Sequence, residues 1–169
     1  MSILKVNTIQ DKGGNTIISS DGSGTFTPYG FGKIGQVVSA TDTTIRTSTS
    51  TSFTDASNTC SLTITPSSTS SKILLVCSFS GGLNTADKRA SYTWFRDSTN
   101  LGDATEGLRS YEIQGTGNYS IESNMTVDWI DSPNTTSSIT YTLQFKAETG
   151  TVYFNNRGYA QSYAMEILA

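Results

Sequence analysis

The chain contains no histidine. That removes Ser-His-Asp triads, Cys-His pairs and His-ligated zinc together. Only 2 cysteines occur in 169 residues, and two thiols so far apart cannot build a Cys-rich metal site alone. Charged residues make up 15%, against roughly 25% in a typical soluble domain. The net charge is −3 and the pI about 4.8. Lys88-Arg89 is the one adjacent basic pair, too little for a phosphate groove, so no nucleic-acid partner is expected. The longest apolar run, Ile73–Cys77, is far below a membrane span, so no membrane partner is expected either. No glycine-rich phosphate loop occurs, nor the strand-to-helix context it needs, and no cofactor is implied. The opening Met1-Ser2-Ile3-Leu4-Lys5 lacks the apolar core of a secretory signal. The expectation is a chain made and folded in a cytosol, with any outside role reached by assembly and release.

What remains is Ser, Thr, Asn and Gly, with 35% hydrophobic residues. Disorder needs low hydrophobicity combined with high net charge, and the charge here is small. Thr, Tyr, Val, Ile and Phe favour strands. From Lys33 onward the strand candidates are Ile34–Ala40, Cys60–Thr65, Lys72–Ser80, Ser91–Arg96, Tyr119–Asp131, Ser138–Ala147, Thr151–Phe154 and Tyr163–Leu168. Turn-rich stretches separate them and no amphipathic helix is evident. That pattern implies an all-β sandwich or barrel. The fold reading is an antiparallel, jelly-roll-like β-sandwich over residues 33–169.

Residues 1–32 differ. Short strand candidates (Ile3–Ile9, Thr16-Ile17-Ile18, Thr25-Phe26-Thr27) alternate with turns such as Asp11-Lys12-Gly13-Gly14-Asn15. The stretch is too short to bury its own apolar residues. It is either a loose tail or a segment packed on other copies. Leu4, Val6, Ile9, Ile17 and Phe26 point to the second, as anchor and trimer contacts, because disordered segments carry few such residues. Asp11 and Asp21 lack the ligand density of a calcium loop and read as turn formers.

Two strands alternate cleanly. Ile121, Ser123, Met125, Val127 and Trp129 share one face, as do Ile139, Tyr141, Leu143, Phe145 and Ala147. Period two puts one face on a core, so Trp129 is expected inside. The turn Ser132–Thr136 between the two strands suggests that they pair with each other. A second hairpin is expected between Cys60–Thr65 and Lys72–Cys77, with Ile64 facing Ile73, Leu62 facing Leu75 and Cys60 facing Cys77. A bridge there would be strained, since cross-strand Cβ atoms lie about 4.5–5.5 Å apart and disulfide Cβ atoms about 3.8 Å. Both thiols are read as reduced and buried.

Chemistry is sparse. Paired carboxylates could support glycoside hydrolysis, and Asp128, Asp131, Glu106, Glu112 and Glu122 are the candidates, but no pair stands out. Aromatics are the other signal: Trp94, Tyr92, Tyr111, Tyr119, Tyr153 and Tyr159 could stack on sugar rings. Tyr92 and Trp94 share a face opposite Thr93 and Phe95, so one pair is expected exposed or at an interface. The irregular stretch Asp97–Gly117 looks like a long loop, where binding commonly sits. The candidate adhesion residues are Tyr92, Trp94, Arg96, Arg109 and Tyr111.

The opening Leu4-Lys5-Val6-Asn7-Thr8-Ile9-Gln10-Asp11, followed by Gly13-Gly14-Asn15, resembles the N-terminus of tail-fibre-like virion proteins of marine and cyanobacterial phages. Later motifs agree in order: Thr63–Leu74; Arg96-Asp97-Ser98-Thr99-Asn100-Leu101-Gly102, with Asp97 where that family has Gly; Asp131-Ser132-Pro133-Asn134-Thr135-Thr136; and Met165-Glu166-Ile167. The resemblance spans nearly the whole chain. It implies a non-enzymatic homotrimeric virion appendage, assembled in the host cytoplasm. The N-terminal segment would hold other virion proteins and the β domain would project toward a host-surface glycan. The length fits a short fibre. A capsid decoration protein that stabilises the head is the alternative, and a carboxylate-dependent glycan hydrolase the remote one.

Overall fold

The computed structural model describes residues 7–20, 22, 26–28, 33–113 and 121–168. The chain divides into two compact units, Met1–Lys33 and Ile34–Ala169. In the first, β1 (Thr8–Gln10), β2 (Thr16–Ser20) and β3 (Phe26–Pro28) form a three-stranded antiparallel sheet. Asp11 shapes the β1–β2 turn. Its Oδ1 accepts from the amides of Gly13 at 2.8 Å and Asn15 at 2.9 Å. A bond from the Asn15 side chain at 2.9 Å, then these two, lower the carboxyl's pKa.

The second unit is a β-sandwich. Its strands are β4 (Lys33–Asp42), β5 (Arg46–Ser48), β6 (Thr54–Asp55), β7 (Leu62–Ile64), β8 (Lys72–Leu83), β9 (Lys88–Arg96), β10 (Thr99–Asn100), β11 (Arg109–Ile113), β12 (Ile121–Asp131), β13 (Ile139–Ala147), β14 (Val152–Phe154) and β15 (Ala160–Leu168). In one six-stranded sheet β12 borders β8, β8 borders β15 and β14, and these border β4 and β5. In the other, β10 and β11 border β9, β9 borders β13, and β13 borders β6 and β7. Taking β4/β5, β6/β7, β10/β11 and β14/β15 as single strand positions, the chain crosses to the opposite sheet at every connection except that after β9. This is the order of a jelly roll.

That topology overturns both expected hairpins. β7 pairs with β13, not β8, and β12 pairs with β8, not β13. The apolar alternation was read correctly, but each pair of strands turns its apolar faces toward each other across the core. Alternation states which face is buried, not which strand lies alongside.

The core draws Leu75, Cys77 and Phe79 from β8, Tyr92 and Trp94 from β9, Leu143 and Phe145 from β13, and Phe154 from β14. Phe79 lies 5.0 Å from the Tyr92 ring and 4.7 Å from Phe154, both tilted, in the range preferred by aromatic pairs. Each buried ring contributes roughly 1.5–3 kcal/mol by burial. Gly81 makes this closeness possible, since a Cβ there would stand 2.8 Å from the Tyr92 hydroxyl and 2.6 Å from Met125 Sδ. Trp129, expected inside, is 40% exposed. It sits near the end of β12, which among the described residues pairs only with β8.

Candidate functional site

Tyr92 and Trp94 are fully buried and cannot meet a ligand. The Tyr92 hydroxyl donates to the Tyr153 carbonyl at 2.8 Å, and the Trp94 indole N–H donates to the Val127 carbonyl at 3.1 Å. Both bonds join the two sheets and satisfy polar atoms that burial would otherwise leave stranded. The opposite pair is not exposed either: Thr93 is buried and Phe95 half-buried against Phe53. Around Tyr92, Thr93, Trp94 and Phe95 both faces of β9 are covered.

The other adhesion candidates are also engaged. Arg96 grips Asp131 through one nitrogen, at 2.9 and 3.1 Å, and the Tyr141 hydroxyl donates to the same carboxylate at 2.7 Å. Burial, then this bond to Asp131, raises the Tyr141 pKa. Arg109 meets Asp128 at 2.6 Å. Tyr111 is half-buried and packs on the core. The stretch Asp97–Gly117 is not a long loop where it is described. It holds β10 and β11, both paired to β9, and residues 114–117 lie outside the described residues. Asn100 accepts from the Thr93 hydroxyl at 2.7 Å and the Gly102 amide at 3.0 Å, pinning this segment along β9.

The remaining candidates divide similarly. Glu106 and Glu112 both pair with Arg89, at 2.7 and 3.4 Å. In the first unit Ile9 is 47% and Ile17 45% exposed. Phe26 lies in β3, and Leu4, Val6 and Asp21 lie outside the described residues, as do the side chains of Phe26 and Glu122. Among the described residues no group of three or more His, Cys, Asp or Glu could hold a metal ion. No described helix is long and apolar enough to cross a membrane.

Several motif residues act as fasteners. Glu166, buried in β15, accepts from the Ser67 amide at 2.6 Å, the Ser67 hydroxyl at 2.7 Å and Gln36 at 3.1 Å. Burial pushes its pKa up, but these bonds outweigh it and hold the group near 2. Asp42 follows the same logic. Burial opposes its charge, yet the Ser57 hydroxyl, the Thr44 amide at 2.8 Å and Arg46 at 3.2 Å hold it at about 2. Cys60 and Cys77 are free and buried. Burial pushes Cys77 up to about 12, against a bond from Ser162, so neither thiol is disposed to react.

Among the described residues, one open groove lies on the outer face of each sheet. The groove over β9, β11 and β13, about 490 Å³, is charged: Arg89, Lys146, Glu106, Glu112 and Glu148 line it. Its charges answer one another, with Glu148 taking Lys88 at 3.2 Å and Lys146 lying 4.6 Å over the Phe53 ring.

The opposite outer face is divided. By register, Ile130, Leu74 and Met165 form one row across β12, β8 and β15, and Asp128, Val76 and Tyr163 the next. Ile130 is 52% exposed, and Val37 on the neighbouring β4 is 54% exposed. Further along, the rows turn polar: Thr126, Ser78 and Gln161, then Asn124 and Ser80. Over this polar end lies the second groove, about 540 Å³, bordered by Tyr159 and Arg157. Tyr159 is among the aromatics the sequence offers as sugar platforms and Arg157 is not singled out; both lie in the turn between β14 and β15, where no periodicity marks exposure. No protein-family model matches the chain, and no curated protein matches it.

Proposed function

We propose that this chain is a non-enzymatic phage virion appendage. It is a short homotrimeric fibre, held on the particle by residues 1–32, with residues 33–169 projecting as an adhesive domain toward a host-surface glycan. The observation that carries this reading is a jelly-roll domain with an uncovered apolar end on one sheet, joined to a separate strand unit that displays Ile9 and Ile17. Jelly rolls recur in viral and lectin domains. Apolar surface exposed on both units favours packing on further copies. The occupant of the apolar rows around Ile130, Met165 and Val37 is a second copy of this chain.

Two details support the family resemblance. The turn joining β9 to β10 has φ 51° at Asp97, a left-handed conformation that glycine fills most readily. The one departure from that family's motif therefore falls where glycine suits the backbone. The quoted motifs also meet in pairs, Arg96 with Asp131 and Ser67 with Glu166.

Sedimentation equilibrium tests the trimer, which requires a mass about three times 18.1 kDa. A monomer mass at micromolar concentration would sink it. Gold-labelled antibody on intact phage tests the location. Label on the tail is expected for a fibre, and label over the head would replace this reading with capsid decoration. Label on neither removes the virion reading.

A further inference from the structure

We infer that the polar groove over β8, β12 and β15 is a saccharide-binding site, with Tyr159 as its stacking platform and Asn124, Thr126 and Gln161 as its hydrogen-bonding floor. The inference rests on the adhesion reading for its biological setting, and supplies the surface and ligand contacts which that reading leaves open.

Tyr159 is 71% exposed, the most of any large hydrophobic residue described. A ring with an apolar body and a polar tip suits a partly wet interface. The turn that carries it is fastened. The Arg157 amide donates to the Ser80 hydroxyl at 2.6 Å, and the Asn156 amide donates to the Ser80 carbonyl at 3.2 Å. Asn155 anchors the same turn from beneath, donating to the Asp42 carbonyl at 2.8 Å. Gly158, at φ 110°, gives the turn a course that a side chain would strain. Tyr159 is thus presented on a backbone already fixed, which lowers the ordering cost of binding.

The floor suits a polyhydroxylated ligand. Ser78 and Thr126 hydroxyls lie 3.0 Å apart and can exchange donor and acceptor roles. Gln161 accepts from the Tyr163 hydroxyl at 3.3 Å through its oxygen, which leaves its NH₂ able to donate. No hydrogen bond engages the Asn124 side chain within the described domain, and that residue is exposed. Amides and hydroxyls of both polarities below an aromatic ring match a pyranose, which has an apolar C–H face and an edge of hydroxyls. A groove of about 540 Å³ lies within the usual range for small-ligand sites. The charged groove on the other sheet lacks this character, since its polar groups are engaged with each other.

The groove and the proposed trimer seat share a sheet face without competing. Leu74 and Ser80 are six residues apart on β8, so the apolar and polar ends lie about 20 Å from each other.

The test is saturation-transfer NMR on the full chain, using methyl glycosides of glucose, mannose, galactose and N-acetylglucosamine, each to millimolar excess. At least one is expected to bind. Tyr159→Ala should weaken it at least tenfold, Asn124→Ala severalfold, and Tyr159→Phe little, because the ring is kept. Lys146→Ala, in the charged groove, should leave binding unchanged. Chemical shifts of the core methyls show that each variant is folded. The inference fails if no glycoside binds, or if binding survives both Tyr159→Ala and Asn124→Ala. Glycoside binding by a protein that gold labelling finds on no part of a phage would discard the virion reading and keep this site. Virion labelling without glycoside binding would do the reverse.

Discussion

The outer faces of the two sheets differ in what they leave undone. Over β9, β11 and β13 the exposed groups close on themselves: Arg89 between Glu106 and Glu112, Lys88 on Glu148, Lys146 over Phe53. Over β8, β12 and β15 they do not: Ile130 and Val37 stand in solvent, Tyr159 overhangs a groove, and Asn124 has no side-chain partner in the described domain. A face whose groups already pair gains little from a partner. The face with uncovered apolar rows at one end and unused amides at the other is where association and recognition are to be sought.

The largest effect should come from between the faces. Trp94→Ala removes a fully buried ring and the bond to Val127. It should cost about 3–5 kcal/mol, read as a lower midpoint in urea denaturation. A loss below about 1 kcal/mol would mean that the sheets do not depend on this contact. Acid should act next. Glu166 and Asp42 are held near 2 in the folded protein, against ordinary values of 4.5 and 3.8. A lowered folded pKa contributes stability that is full above the ordinary value and is lost as pH falls toward the folded one. Each group should therefore withdraw roughly 2–3 kcal/mol between about pH 5 and pH 2. Denaturation at stepped pH, with Glu166→Gln flattening part of the slope, checks this; a pH-independent midpoint over that window would refute it.

The comparison of faces is sharpened by charge. Ile130→Lys, placed in the apolar row, should shift the sedimentation mass from trimer toward monomer without unfolding the domain. An unchanged trimer would place the contact elsewhere. The smallest effect is expected on the self-paired face, where Arg89→Ala should leave the urea midpoint unchanged, because exposed ion pairs contribute little. A clear drop there would show that this face matters more than its pairing suggests.

Much of the fold was legible in the residues. Strict alternation in Ile139–Ala147 matches the burial of that strand along its full length, and the density of Thr, Val, Ile and Tyr pointed to strands throughout. The candidate site was legible only in part. Tyr92 and Trp94 were singled out as aromatics, yet a strand covered on both faces does not differ in period from one with a wet side. Arg96 and Arg109 were singled out as loop cations, yet their carboxylate partners lie 35 and 19 positions away. Tyr159 is one of several aromatics able to stack on a sugar, but nothing in the sequence sets it apart, because a short turn between two strands has no periodicity to show which ring is exposed.

By itself the sequence determined the class of the molecule. With few charges and with β-branched residues in alternation, it builds strands that turn one face to a core. It also determined which face of most strands is buried, since that follows from side-chain order alone. Only the tertiary structure decided which strand neighbours which, because pairing depends on how the chain crosses between sheets. That crossing separates β7 from β8 and β12 from β13, encloses Tyr92 and Trp94, and sets Tyr159 above Asn124 from more than thirty residues away.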